Sequence, residues 1–151
     1  MLLQVDGQCK IADFGASIRS KELHGSSIVG TPTYMSPEAC RGEQVFPSAD
    51  IWAVGVTVAR LLMGRVPYDL SGLSPAELVR FVGDGTFEPV VDEAIGLHAY
   101  DLCCSCTRSL PGDRPNATQL RMHAFCHVSV MEPEMLSSLS ISGRQIGPDS
   151  Q

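Results

Sequence analysis

The strongest hydrophobic pattern in the chain runs over residues 49–63. Ile51, Trp52, Val54, Val56, Val58, Leu61 and Leu62 fall on nearly every side of a helix with 3.6 residues per turn. A helix without a polar face is normally covered all round. Ser48 before it can cap the open N–H groups, and Gly64 after it can take the left-handed terminating conformation. Ser74-Pro75-Ala76-Glu77 has the spacing of a capping box with Pro at the first helical position, and predicts a helix to about residue 82. Asn116-Ala117-Thr118-Gln119 predicts a second capping box, opening a helix to about residue 126. A further helix is expected over about 98–108.

The other segments carry different patterns. Residues 2–5 and 8–11 are apolar-rich runs separated by Asp6-Gly7. That dipeptide predicts a hairpin, because both turn positions need positive φ. Residues 15 to about 47 are rich in Gly, Ser, Thr and Pro and show no sustained helical period. They read as a long loop, and loops of that length inside a domain are usually functional. Residues 128–151 hold many Ser with Gly and Pro, and read as a flexible tail after a folded unit at 1–127.

Composition narrows the function classes. With 151 residues and 44% hydrophobic content, the chain can bury a core of its own. Eleven basic against seventeen acidic residues give a net charge of −6, so nucleic acid is not an expected partner. No apolar run reaches the roughly 18 residues of a membrane span, and residues 1–6 lack the pattern of a signal peptide. No membrane partner is expected. Cysteines at 9, 40, 103, 104, 106 and 126 form no regular framework, which points to reduced thiols and a cytoplasmic setting. Cys103, Cys104 and Cys106 with His98 and His123 offer enough ligands for zinc, but at no familiar finger spacing. Small semi-buried helix residues are the alternative reading.

The candidate chemistry comes as an ordered series. Asp13-Phe14-Gly15 directly follows the second predicted strand, where an Asp can aim its carboxylate at a hard cation such as magnesium. A simple turn Asp is the bland alternative. Gly30-Thr31-Pro32-Thr33-Tyr34-Met35-Ser36-Pro37-Glu38 closes the long loop, and Asp50-Ile51-Trp52-Ala53-Val54-Gly55 opens the apolar helix. Gly112-Asp113-Arg114-Pro115 precedes the last helix. In this order the motifs resemble the C-terminal lobe of a eukaryotic protein kinase over about residues 2–127. Ser36-Pro37-Glu38 is similar to the Ala-Pro-Glu motif, with Ser in place of Ala. Details around Asp13, Asp50 and Arg114, with His123-Ala124-Phe125, most resemble the mitogen-activated protein kinase kinase kinase group. Thr31 before Pro32 is similar to serine/threonine kinases.

The resemblance implies an α+β kinase-like fold: a mainly helical C-lobe with a short N-terminal β-hairpin, as an incomplete domain. It implies a serine/threonine kinase using ATP and Mg2+, a protein substrate, and an upstream activating kinase. Asp13 would hold the magnesium, Phe14 would pack into the regulatory spine, and Gly15 completes the motif. Ser27 would be the activating phosphosite, with Ser26 as its rival, and Thr31 would face the peptide substrate. Glu38 would pair with Arg114, Asp50 would hydrogen-bond the catalytic loop, and Trp52 belongs to the same structural set. Phosphoryl transfer also needs a glycine-rich cover, a strand Lys with its Glu partner, and a catalytic Asp and Asn. None of these is found in the 151 residues, and the resemblance places the end of the catalytic loop immediately before Met1. The chain alone is therefore expected to be inactive. A non-catalytic, kinase-derived binding module is the alternative.

Overall fold

The computed structural model describes residues 2–3, 9–17, 30–86 and 88–127. Strands β1 (Leu2–Leu3) and β2 (Cys9–Lys10) pair antiparallel, with Leu2 opposite Lys10 and Leu3 opposite Cys9. The Asp6-Gly7 turn expected between them lies outside the described residues. Among the described residues five α-helices follow: α1 (Pro37–Cys40), α2 (Ser48–Met63), α3 (Pro75–Gly83), α4 (Leu97–Cys106) and α5 (Ala117–Arg121). The mainly helical architecture with a short strand pair is the one expected.

Helix α2 is the axis of the fold. One cluster of buried residues joins it to α1 and α3 through Met35, Cys40, Trp52, Val56, Tyr68, Leu78 and Val82. A second joins it to α4 and α5 through Ile51, Ala59, Leu102, Cys103, Cys106 and Leu120. The α2–α4 crossing is close because residue 55 is glycine. A Cβ added there would lie 2.6 Å from the Cys106 Cβ and 3.3 Å from the Cys103 carbonyl oxygen. At the end of α5, His123 Nδ1 accepts a hydrogen bond from the Phe125 N–H, so its Nε2 carries the proton and donates to Asp101 on α4 at 3.0 Å.

Several expectations need correction. Ser48 does not cap α2; it is the first helical residue, and the cap position is Pro47 with φ −53°. Proline's fixed φ already suits the helix, and backbone bonds from Ala49 to Phe46 and from Asp50 to Pro47 close the first turn. Gly64 does end the helix in the left-handed region, at φ 70°. Helix α2 is not covered all round: Val54, Leu61 and Leu62 are exposed. The stretch read as one long loop contains 3-10 turns at Phe14–Ala16 and Pro32–Tyr34 as well as α1. Each is a single turn, too short to leave a period in the sequence. Both capping boxes form with both their bonds. The second opens only a five-residue helix, because the chain turns at Met122–His123 before a 3-10 segment, Ala124–His127.

Candidate functional site

The site is organised around Arg114, carried on the loop between α4 and α5. A guanidinium has five N–H donors in a rigid fork, and here all five are used. Nη1 donates to Glu38 Oε1 at 2.7 Å and to the Ser48 carbonyl at 3.0 Å. Nη2 donates to Glu38 Oε2 at 2.9 Å and to the Ser109 carbonyl at 3.2 Å, and Nε donates to the Arg108 carbonyl at 2.7 Å. The side chains are 0% exposed for Arg114 and 3% for Glu38. The guanidinium carbon also lies 5.0 Å from the centroid of the buried Trp52 ring, a distance at which a cation is attracted to the ring face.

One side chain therefore ties α1, the start of α2 and the loop before α5 into a single block. Burial pushes the Glu38 carboxyl up. The Arg114 hydrogen bond, the Glu38 backbone N–H and the Arg114 charge outweigh it and hold the group below its ordinary value of 4.5. The residues expected to pair are thus brought together. What sequence reasoning missed is that Trp52 forms the floor of the same site. Its signal was the single Trp, two positions after Asp50.

On this block sits the segment that closes the long loop. Thr31 is exposed, and its carbonyl accepts the Tyr34 N–H at 3.0 Å to form the Pro32–Tyr34 turn. Tyr34 is half-buried against the first cluster. Pro37 stands at the first position of α1, where its missing N–H costs nothing, and Glu38 follows in the first turn. Asp50 is exposed in the first turn of α2, where the helix dipole favours a carboxylate.

Asp13, Phe14 and Gly15 lie apart from this block. Asp13 is exposed and is the non-glycine residue with positive φ among those described, at 66°. Such a conformation costs energy in an L-residue and clusters at functional sites. Phe14 is 66% exposed. It belongs to neither buried cluster. Ser26 and Ser27 lie outside the described residues.

The cysteines of α4 do not assemble a metal centre. Among the described residues no group of three or more His, Cys, Asp or Glu side chains could hold a metal ion. Burial pushes Cys103 up to about 11 and Cys106 up to about 12. Both are therefore neutral packing groups at pH 7.

Two elements of this layout define the class: a helical base built on one central apolar helix, and a buried Arg–Glu staple holding the Thr31–Glu38 segment on it. This is a kinase-type helical lobe. The family model described as "Protein kinase domain" matches residues 1–126, and the chain belongs to the protein kinase family. It is 33% identical over 127 residues to mitogen-activated protein kinase kinase kinase 17 of Arabidopsis thaliana, covering 83% of this chain and 34% of that protein. It is 39% identical over 130 residues to mitogen-activated protein kinase kinase 5 of Leishmania mexicana, covering 79% of this chain and 24% of that protein. It is 35% identical over 125 residues to cytokinesis protein sepH of Aspergillus niger (strain ATCC MYA-4892 / CBS 513.88 / FGSC A1513), covering 83% of this chain and 9% of that protein. The chain thus spans about a third or less of these relatives. Among the described residues no helix is long and apolar enough to cross a membrane.

Proposed function

We propose that this chain is the helical part of a serine/threonine protein kinase that transfers the γ-phosphate of ATP to protein Ser or Thr in a mitogen-activated cascade. The observation that carries the reading is the buried Glu38–Arg114 pair. It holds the Thr31–Glu38 segment on the base, which supports a peptide substrate meeting the chain there. Residues 1–127 form the kinase part and 128–151 a tail. An upstream kinase would phosphorylate Ser27, or its neighbour Ser26, and the setting is cytoplasmic.

The residues fit one share of a magnesium site. Asp13 presents an exposed carboxylate next to Gly15, whose added Cβ would be 3.5 Å from Asp13 Oδ1. Magnesium takes few protein carboxylates and fills its shell with phosphate and water oxygens, so a single Asp suffices here. Bound magnesium neutralises charge on the ATP phosphates. Asp13 would orient it, Thr31 would face the substrate, and Asp50 would accept backbone donors of the catalytic loop. The base itself is the observation that favours the second reading. A chain that assembles its own docking surface can serve as a non-catalytic binding module.

Immunoprecipitation with an antibody against residues 128–151, followed by magnesium, labelled ATP and a mixed peptide substrate, tests the reading. The expected result is a species much larger than 151 residues that labels Ser and Thr, while the 151-residue chain stays at background. Labelling of Tyr alone, or turnover by the isolated chain that Asp13→Ala abolishes, overturns it. A native species of 151 residues with no activity supports the binding module.

A further inference from the structure

We infer that Arg60 is a specificity-determining residue of the substrate surface, selecting a peptide that carries an oxyanion side chain (Asp, Glu or a phosphorylated residue) beside the phosphoacceptor. This deepens the proposed function and rests on its assignment of the Thr31–Glu38 segment to the substrate.

The argument starts from how the arginines of this chain are neutralised. Arg114 is buried on the Glu38 carboxylate. Arg41 donates to both oxygens of Glu43, at 2.6 and 2.9 Å. Arg60 is different. It is exposed on α2, and its hydrogen-bond partner among the described residues is the Tyr34 hydroxyl, which accepts from Nη1. Its guanidinium carbon also lies 5.9 Å from the Tyr34 ring centroid. A phenol orients a guanidinium but removes none of its charge. The result is a cation held in place with no carboxylate partner among the described residues.

Position gives that cation its role. Tyr34 closes the turn that begins at Thr31, so a single hydrogen-bonded turn separates the guanidinium from the residue assigned to the substrate. A guanidinium matches a carboxylate or phosphate with two parallel N–H bonds. Because Tyr34 already holds the long side chain, less rotamer freedom is lost when a ligand binds. The net charge of −6 offers no long-range attraction to an acidic peptide. The selection is therefore short-ranged and belongs to Arg60.

The test is a positional-scanning peptide library, with Asp, Glu, phosphoserine, Lys and Arg each fixed in turn, phosphorylated by the kinase immunoprecipitated as above. Wild type, Arg60→Glu, Tyr34→Phe and Arg121→Glu are compared, the last as an exposed charge change on α5. The expected result is a preference of about fivefold for an oxyanion at one position. Arg60→Glu should invert it toward Lys or Arg, Tyr34→Phe should weaken it, and Arg121→Glu should leave it in place. Whether Asp and Glu or phosphoserine ranks highest identifies the natural group. Turnover with no oxyanion preference, or with one that Arg60→Glu leaves intact, overturns the inference while the kinase reading stands. No turnover on any peptide overturns the kinase reading and this inference with it.

Discussion

The two faces of α2 live in different environments. One face carries Trp52, Val56 and Ala59 into two buried clusters and lies beneath the Arg114 staple. The other leaves Leu61 73% exposed, with Val54 and Leu62 also open. The Asp13–Gly15 segment shares this second character, since Ile11 and Phe14 are exposed as well. Val54, Leu61 and Leu62 are as apolar as the residues that pack, so hydrophobicity alone does not decide burial. The difference is whether this chain supplies a neighbour. On the packed face it supplies α1, α3, α4 and α5, and the lock is a polar pair. The chemistry proposed for Asp13 belongs to a segment that is exposed in the same way, whereas the surface proposed to meet substrate is assembled by the chain itself.

The largest effect should come from breaking the packed side at its pair. Glu38→Ala or Arg114→Ala strands the partner's charge in a buried site, which costs about 3 kcal/mol. The double alanine variant should lose clearly less than the sum of the two. Urea unfolding followed by the fluorescence of Trp52, the single Trp, reads all three; additive losses would mean the pair is not the lock. Acid should act through the same group. Glu38 has a lowered folded pKa, so its contribution is complete above the unfolded value of 4.5 and is lost as pH falls through the folded value. The wild-type chain should lose more stability on acidification below 4.5 than Glu38→Gln does. Equal losses would remove Glu38 from the acid response.

A smaller effect is expected where the packed side is tightest. Gly55→Ala gains helix propensity in the middle of α2, yet its Cβ would sit 2.6 Å from the Cys106 Cβ and 3.0 Å from Thr107 Cγ2. Neither helix can give way without disturbing the second cluster. Overpacking of this kind costs roughly 1–3 kcal/mol, against a propensity gain of about 1. The same denaturation measurement should show net destabilisation. A more stable variant would mean that the α2–α4 crossing relaxes, and that the packed face is less rigid than its geometry implies.

The packed side was also the more legible in the sequence. Ser74 with Glu77 and Asn116 with Gln119 specify their caps locally, and both boxes form. Gly64 ends α2 for the same kind of local reason. The pairing of Glu38 with Arg114 spans 76 positions and no local rule reaches it; it was readable through the resemblance. Trp52 was placed in the structural set, but its contact with Arg114 and the Tyr34–Arg60 contact were not legible, since the sequence does not say which aromatic ring a guanidinium will meet. Periodicity failed for α1 and for the 3-10 turns because one turn is shorter than the window a period needs. It also misled on α2. An all-round apolar pattern states what the helix requires, and the exposure of Leu61 records how much of that requirement this chain meets.

The smallest stability effect, and the most direct test of the open side, comes from polar substitutions there. Phe14→Ser and Leu61→Ser each replace a side chain that is mostly in water already, at 66% and 73% exposure. Little apolar area is left to lose, and surface changes away from caps and pairs usually stay within about 0.5 kcal/mol. Association should respond more than stability does. Exposed apolar residues favour dye binding and self-association, so the double variant should bind less hydrophobic dye and sediment more nearly as a monomer than wild type. If either single substitution instead cost several kcal/mol, that residue would be packed in solution, and the contrast between the two faces of α2 would fail. If stability held and dye binding did not fall, the apolar surface that attracts the dye would lie elsewhere. The open face of α2 would then be an ordinary scatter of surface residues, with no requirement for a covering neighbour.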